Sequence, residues 1–272
     1  MSADGKYVVG NAYQGAGGSN NSRATIWNTQ TNTAINLGIN PVSSAGPNQR
    51  TRANGVSDDG RVVGGYGGNN SPLVWIDAAG TGNYSVVNVN AVSGQFVNSV
   101  NAVSGNGQWA VGAGYTGTAN GSAYRFNTST NQLELLGKLN AVVGGVDIAT
   151  ATNFDGSLIV GYENDSSANP GNRVGFVWTA AGTQSLDSFL AGYGIDQGNS
   201  FNFATPIGMS SNGVTTTIVG FGYAVGSSTA QGFEVTIPFA AAVPEPTTYA
   251  MMLAGLGAIG FLARRRRDKT AA

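Results

Sequence analysis

A short turn motif recurs five times along the chain, and this repetition constrains the fold more than any other feature. In its fullest form the motif is a Ser-x-Asp-Gly turn followed by a Val-Val-Gly strand. The glycines that end successive turns lie 55, 47, 49 and 57 residues apart. Periods of this length are typical of propellers and other repeat architectures, in which one supersecondary unit stacks on the next. The turns begin at Ser2, Ser57, Ser104, Asn153 and Ser211.

The residues of these turns predict tight hairpins. Asp-Gly and Asn-Gly dipeptides between apolar runs supply the positive φ angles that type I′ turns require. A Ser or Asn two residues before the acid can hydrogen-bond the turn backbone, so each motif should form a self-contained cap. We expect structural turn roles for Asp4, Gly5, Asp59, Gly60, Asn106, Gly107, Asp155, Gly156, Asn212 and Gly213.

Each turn leads into further strand-like segments. After the Val-Val-Gly strand, which is Val62-Val63-Gly64 in the second unit, comes a strand centred on an aromatic residue and then a fourth apolar piece. Leu186 to Leu190 is expected to be a degenerate fourth strand. Four short strands in about 50 residues is the count for one propeller blade. We predict an all-β, β-propeller-like body of about five four-stranded units over residues 1–240. The aromatic-centred strands contain Trp27, Trp75, Phe126, Trp178 and Phe233.

This pattern resembles the HAF repeat, an extracellular bacterial repeat. Units of that family carry a Ser-x-Asp-Gly turn, a Val-Val-Gly strand and an Ala-x-x-Trp strand. The resemblance covers about 240 residues, and it implies an extracellular location. The fifth copy departs from the pattern because it lacks the Asp and has a longer turn.

The two ends of the repeat array are predicted to be incomplete. The first unit begins at its second strand, and the fifth has its first three strands but no fourth. One explanation is circular closure, in which the terminal strands complete a single sheet. The other, which we favour, is that the native N-terminus is missing, because Met1 to Gly5 contains neither the charged nor the apolar region of a signal peptide.

The last 30 residues contain a predicted membrane span. Residues 247–263 carry no charge and would span about 25 Å as a helix, slightly less than the hydrocarbon core of a bilayer. Four arginines follow directly, and the positive-inside rule then orients the C-terminus towards the cytoplasm. We predict a linker at 241–247, a single transmembrane helix at 248–263 and a basic cytoplasmic tail at 264–272. The orienting arginines are Arg264, Arg265, Arg266 and Arg267.

The linker before this segment reads Val243-Pro244-Glu245-Pro246. Together with the apolar run and the arginines, it resembles the PEP-CTERM sorting signal, over about a tenth of the chain. That resemblance implies recognition of Pro244, Glu245 and Pro246 by exosortase, a membrane enzyme of Gram-negative bacteria that make exopolysaccharide. It also implies an inner-membrane intermediate, followed by release to the cell surface or the extracellular matrix.

Composition excludes several kinds of chemistry. The chain has no histidine and no cysteine, so Ser-His and Cys-His nucleophiles, zinc knuckles and disulfides are absent. After residue 240 lie five of the 13 basic and two of the 14 acidic residues, which leaves eight basic and twelve acidic residues, about −4, in the body. An acidic body without a basic patch argues against nucleic acid as a partner.

Three kinds of candidate site remain, and each has a structural interpretation that we favour. Calcium binding by Asp4, Asp59 and Asp155 competes with turn capping. Sugar stacking on Trp27, Trp75 and Trp178 competes with packing between blades. No pair of acids stands out as the two carboxylates of a glycosidase. The acids outside the turns are Asp77, Glu134, Asp147, Glu163, Asp165, Asp187, Asp196 and Glu234.

The prediction is therefore an exported structural or binding protein of the cell surface or exopolysaccharide matrix, without catalytic residues, metal or cofactor. Its partners would be exosortase, the membrane before processing, and exopolysaccharide. The alternatives are a secreted carbohydrate-active enzyme on the same fold and a permanently membrane-anchored surface protein.

Overall fold

The protein is described here from a computed structural model. Residues Met1–Pro238 form one compact unit, and every described residue belongs to it. The Val243 to Pro246 motif, the apolar run, the arginine cluster, Asn212 and Gly213 lie outside the described residues. The structure describes residues 1–13, 22–39, 50–114, 121–139, 145–164, 173–195, 200–211 and 214–238.

Eighteen strands in the described residues form five separate antiparallel sheets. The first sheet contains β1 (Tyr7–Tyr13), β2 (Ser22–Asn28) and β3 (Thr33–Asn36). The second contains β4 (Arg52–Val56), β5 (Val62–Tyr66), β6 (Pro72–Ile76) and β7 (Ser85–Asn88). The third contains β8 (Val100–Val103), β9 (Trp109–Gly112), β10 (Tyr124–Asn127) and β11 (Leu133–Leu135). The fourth contains β12 (Val146–Thr152), β13 (Ile159–Asn164), β14 (Val174–Thr179) and β15 (Gly182–Ser185). The fifth contains β16 (Phe201–Ser211), β17 (Thr215–Ala224) and β18 (Ala230–Pro238).

Each sheet is a meander in which consecutive strands pair, so one sheet corresponds to one sequence repeat. The second, third and fourth sheets have the predicted four strands. The first sheet begins at the second strand of the repeat, and the fifth ends at the third strand, as the sequence indicated. These two sheets are separate in the described residues, so their strands do not complete a common sheet.

Two short α-helices and a 3-10 turn at Gly68–Asn70 lie among the strands of the described residues. Helix α1 (Val89–Ser93) follows β7, and α2 (Leu186–Ala191) follows β15. The prediction of a strand over Leu186 to Leu190 was therefore wrong, because β15 already supplies the fourth strand. The helix forms because the Ser185 side chain caps its first turn, and because Leu186 and Leu190, spaced by four, are both fully buried.

The apolar core lies between successive sheets. Four clusters of buried side chains each join residues of one sheet to residues of the next, from the first sheet to the fifth. In a propeller, successive sheets pack face to face in sequence order. The body is therefore all-β and propeller-like.

The three tryptophans predicted to pack between blades do not behave alike. Trp75 and Trp178 are buried in the clusters that join their sheets to the preceding sheet. Trp27 is 42% exposed, so the prediction was wrong for the first unit. Its neighbours Val9 and Ile26 face the second sheet, whereas Trp27 lies on the opposite flank, where the described chain has no preceding sheet.

The first strand of each complete sheet contains a bulge that links it to the next sheet. The bulged residues Asn54, Asn101 and Thr150 stand at the breaks in strand register. Each side chain donates a hydrogen bond to a first-strand carbonyl of the following sheet. The pairs are Asn54 Nδ2 to Val100 O at 2.8 Å, Asn101 Nδ2 to Ala149 O at 2.8 Å, and Thr150 Oγ1 to Pro206 O at 2.7 Å. In the fifth sheet the equivalent residue is Ile207. Its side chain is exposed and cannot donate a hydrogen bond.

Candidate functional site

The predicted turn residues form one recurring hydrogen-bonded motif. In the second unit, Ser57 Oγ donates to Asp59 Oδ1 at 2.7 Å and accepts from the backbone N–H of Val62 at 3.0 Å. Asp59 Oδ1 also accepts from the backbone N–H of Arg61. The first and third turns repeat these contacts. The fourth turn keeps the two backbone contacts, to Asp155 and to Asn153, but Asn153 Nδ2 donates to Ser157 Oγ, which in turn donates to Asp155. In the first four turns these side chains accept hydrogen bonds from backbone N–H groups of their own turn.

The turn type differs from the prediction. Gly5, Gly60, Gly107 and Gly156 have φ between +72° and +77°, but the Asp or Asn before each of them does not have a positive φ. A type I′ turn needs positive φ at both central residues. The turn is stabilised instead by its side chains. The carboxylate or amide oxygen accepts hydrogen bonds from backbone N–H groups within a longer turn.

The turns of the first four units are also bonded to one another. The backbone N–H of Ala3 donates to Asp58 Oδ1 at 2.9 Å, and that of Asp58 donates to Gly105 O at 2.8 Å. The backbone N–H of Asn106 then donates to Phe154 O at 2.9 Å. These bonds hold the turns together in sequence order.

A cavity of about 310 Å³ lies where the turns meet. Its walls include residues from all five units, such as Ala3, Val56, Val103, Phe154 and Ser210. Asp58 is the one carboxylate among the described residues that line it. The alternative of a carbohydrate-active enzyme requires acids to converge in the central channel. The described residues that line this cavity contribute no second carboxylate.

A larger cavity, about 450 Å³, lies between the first and second units on the turn side. Volumes of this size suit small ligands. Its walls combine acids, bases and two tyrosines, and the residues that carry charge or a ring are Asp4, Lys6, Tyr7, Asp58, Asp59, Arg61, Asp77 and Tyr84. Sequence reasoning placed Asp77 outside the turns and did not connect it with this group.

The polar groups of this cavity are held in place by backbone contacts. The pKa of Asp4 is lowered chiefly by the backbone N–H of Lys6 and the hydroxyl of Ser2. Burial acts to raise the pKa of Asp77, but the backbone N–H groups of Gly82 and Thr81 outweigh it and hold that pKa below its usual value. Burial raises the pKa of Tyr84 to about 12, with the Asp77 charge contributing. Tyr84 is therefore a neutral hydroxyl, and it donates to Gly60 O at 2.6 Å.

A second acidic group, missed by the sequence analysis, lies between the third and fourth units. Asp147 on β12 and Glu163 on β13 are directly opposite each other in the antiparallel pair, and both are 0% exposed. Side chains at such positions share one face of the sheet. Neither carboxylate oxygen of Asp147 has a hydrogen-bond partner among the described residues. The pairing depends on strand register, which two isolated acids in the sequence do not reveal.

Asp147 is consequently difficult to ionise. Burial and the neighbouring Glu163 charge raise its pKa to about 7, while Lys138 and the nearby N–H of Leu139 oppose the shift. That N–H lies close enough to act electrostatically but does not make a well-formed hydrogen bond. Because the pair is fully buried, it has no surface on which to meet a polysaccharide, and we assign it a structural role.

A basic residue is sandwiched between the same two units. The Arg125 guanidinium lies 4.1 Å from the ring centre of Trp109 and 4.2 Å from that of Trp178. It also donates to Glu134 at 2.7 Å. Stacking of a guanidinium on two indoles is a favourable cation–π arrangement. Trp178 thus serves packing between units, as predicted.

The turn acids are engaged by their own turns, and no three acids in the described ranges lie close enough together to hold a metal ion. Of the helices in those ranges, none is both long and apolar enough to cross a membrane. The predicted span at 248–263 lies outside them.

Residues 242–267 match the PEP-CTERM protein-sorting motif. The match includes Val243 to Pro246, the apolar run and the four arginines. Such a motif implies export and processing by exosortase. No curated protein sequence gives a significant match to the chain.

Two solved structures are similar to the body. TolB from Acinetobacter baumannii aligns with a TM-score of 0.50 and 12% identity over 86% of this chain and 52% of TolB, so the chain spans about half the length of that protein. The β-propeller domain of the trilobed protease from Pyrococcus furiosus aligns with a TM-score of 0.35 and 10% identity, over 87% of this chain and 82% of that domain. At such identity the TolB alignment speaks only to the fold. The chain therefore carries a PEP-CTERM protein-sorting motif at its C-terminal end, after an all-β, propeller-like body.

Proposed function

We propose that this is an exported structural or binding protein of the cell surface or exopolysaccharide matrix, delivered by exosortase. The observation that carries the proposal is the match of residues 242–267 to the PEP-CTERM sorting motif. Pro244, Glu245 and Pro246 are the recognition element. The segment at 248–263 holds the intermediate in the inner membrane, and Arg264 to Arg267 keep its C-terminus in the cytoplasm.

The chemistry of the motif suits a processing enzyme. Proline lacks a backbone N–H and disfavours helix in the residue before it, so two prolines around Glu245 favour an extended chain. An enzyme at the membrane surface can grip an extended segment along its backbone. The body is then released or re-attached as a folded unit.

The body contributes the binding role. Its sheets are tied together by bonds between first strands and between turns, which makes a rigid frame. The 450 Å³ cavity between the first two units offers fixed carboxylates, two bases and two tyrosines. Tyrosine faces and paired polar groups suit a polyhydroxylated ligand such as a polysaccharide segment. We include in this proposal that the repeats are of the HAF type and that the protein is located in the matrix.

The test is the mass of the mature protein. In an exosortase-bearing host, the chain with Pro244, Glu245 and Pro246 replaced by alanine should accumulate as the longer membrane form. The unmodified chain should lose the segment after the motif and reach the surface or medium. A matched control replaces the adjacent Thr247 and Thr248 by alanine and should be processed normally. Intact-mass spectrometry of each fraction measures the outcome.

Two results would contradict the proposal. If the unmodified chain keeps its tail to Ala272 in every fraction, the protein is permanently anchored. If the purified body depolymerises a polysaccharide, the carbohydrate-active enzyme is the correct alternative.

A further inference from the structure

We propose that the cavity of about 450 Å³ between the first and second units binds an amine-bearing sugar unit of a polysaccharide. The ammonium group of that sugar takes the place that an arginine side chain fills between the third and fourth units. This inference rests on the binding role proposed for the body and names the class of its ligand. It is supported by equivalent positions in successive units, by the charge of the cavity walls and by their free polar atoms.

The strand pairings define three equivalent positions at each boundary between units. The first is two residues after the turn glycine, where the side chain packs on the turn glycine of the next unit. The second lies on the neighbouring strand, opposite the residue two positions further along. The third is the central aromatic residue of the next unit. At the first three boundaries these positions are held by Tyr7, Ile26 and Trp75, by Val62, Val74 and Phe126, and by Trp109, Arg125 and Trp178.

Two of these boundaries are filled by the chain itself. Val62, Val74 and Phe126 are buried together in one apolar cluster between the second and third units. Between the third and fourth units, the Arg125 guanidinium lies 4.1 Å and 4.2 Å from the centres of two indole rings and pairs with Glu134. Aromatic faces stabilise a cation held against them. One boundary is thus filled by apolar side chains and the other by an internal cation.

The boundary between the first and second units keeps the aromatic pair but not the arginine. Ile26 stands in the arginine position, and Ile35 stands opposite it, where the third unit has its glutamate. Both isoleucines line the cavity together with Tyr7. Trp75 belongs to the same cluster as these residues, and its buried indole N–H has no acceptor in the described part of the chain. This boundary therefore has space beside its aromatic residues that no arginine fills.

The charge of the cavity walls favours a positively charged ligand. Lys6 and Arg61 are already engaged, because Lys6 Nζ lies 5.2 Å from the Tyr7 ring centre and Arg61 Nε lies 3.8 Å from Asp59 Oδ2. The described lining residues include four carboxylates against these two bases. A uronic acid would add to the negative excess, whereas an ammonium group reduces it. The four carboxylates belong to Asp4, Asp58, Asp59 and Asp77.

The polar atoms left free in the walls match an amino sugar. Among the described residues, the hydrogen bonds to the side chains of Asp4, Asp58 and Asp59 all use Oδ1 and leave Oδ2 without a donor. An ammonium group has three N–H donors and can bond to more than one such oxygen. Asn28 accepts through Oδ1, which leaves its NH₂ group to donate to a sugar hydroxyl. The Tyr84 hydroxyl, which donates to a backbone carbonyl, can still accept a hydrogen bond.

The experiment is isothermal titration calorimetry of the full chain in mild detergent, at low ionic strength and about pH 6, where a sugar amine is protonated. The probe is the β-1,4-linked trimer of glucosamine. We expect saturable binding that weakens as salt is added. The trimer of N-acetylglucosamine keeps the rings but carries no charge. It should bind about tenfold more weakly, because charge-assisted hydrogen bonds are lost.

Two matched variants test the walls of the cavity. Asp59→Asn should weaken binding of the glucosamine trimer about tenfold, because it removes a carboxylate from the wall. Its turn should still fold, because Asn106 holds the same position in the third unit and makes the same contacts. The control is Asp155→Asn, which makes the same change in the fourth turn, outside the described lining of the cavity, and should bind normally. Thermal unfolding checks that both variants are folded.

Equal binding of the two trimers, or unchanged binding by Asp59→Asn, would overturn the inference. So would tighter binding of a galacturonic acid trimer, since the bases would then be the recognition groups, or of trilysine, since the ligand would then be a basic peptide. None of these results bears on sorting, which is judged by the mass of the mature protein. Failure of processing with retained binding of the glucosamine trimer would contradict the sorting proposal alone.

Discussion

Replacing Asp147 with asparagine should remove a large part of the pH dependence of folding stability. In the native protein the carboxyl group is fully buried opposite Glu163, and burial with the Glu163 charge raises its pKa from 3.8 to about 7. An acid with a raised native pKa holds its proton more tightly when folded. Its contribution to stability is therefore present in full below pH 3.8 and is lost as the pH rises to about 7.

The magnitude follows from the interval between the two pKa values. The rise from 3.8 to about 7 corresponds to about 4 kcal/mol in the free energy of unfolding, at roughly 1.4 kcal/mol for each pH unit. This is an upper value, because relaxation of the buried pair reduces it. Asparagine keeps the shape of the acid and cannot ionise. The Asp147→Asn protein should therefore be more stable than the unmodified chain at pH 8, and their difference should shrink towards pH 4.

The assay is urea unfolding of both proteins at half-unit intervals from pH 4 to pH 8.5. The matched control is Glu234→Gln, which removes an exposed carboxylate on β18 and should leave the profile unchanged. Parallel profiles for Asp147→Asn and the unmodified chain would refute the reasoning. So would an Asp147→Asn protein that is less stable at pH 8, because the charged form would then be the better-solvated one.

Three further substitutions test the frame of the body. Gly112→Ala should cost about 3 kcal/mol, seen as a lower urea midpoint, because its Cβ would overlap a first-strand carbonyl; an unchanged midpoint would contradict that contact. Arg125→Lys should cost about 1 kcal/mol and change tryptophan fluorescence, because an ammonium cannot stack between Trp109 and Trp178. An unaltered spectrum would argue against the sandwich. Ser57→Ala should cost about 1 to 2 kcal/mol by thermal unfolding, since a buried backbone N–H loses its acceptor. Exposed Ser227→Ala serves as its control.

Local features of the sequence predicted the strands and turns well, because both depend on neighbours a few residues away. The Ser57 to Gly60 turn is stabilised by its own side chains, so its motif identifies it in any context. The four-strand count held in the three middle sheets for the same reason. Leu186 to Leu190 was assigned wrongly because a short apolar run suits a strand or a helix, and only the Ser185 cap decides between them.

The candidate sites could be predicted only in part, because they depend on which units become neighbours. Trp27 has the same local sequence position as Trp75, yet its exposure differs because the described residues contain no sheet that covers it. Asp147 and Glu163 meet through strand register, and one residue of slip would separate them. The sorting motif could be read from the sequence because a motif of this kind is defined by its residues and not by tertiary contacts.

The hydrogen bonds from each bulge residue to the next sheet determine how the body responds to mechanical tension. Each donor bonds to the sheet that follows its own, from Asn54 through Asn101 to Thr150. Ile207 in the fifth sheet passes no such bond onward. Cohesion is therefore a series of nearest-neighbour couplings, as in stacked repeat proteins. Tension applied at the end of β18 would act first on the fifth sheet, so the body would yield one sheet at a time and the sheets further along would stay folded.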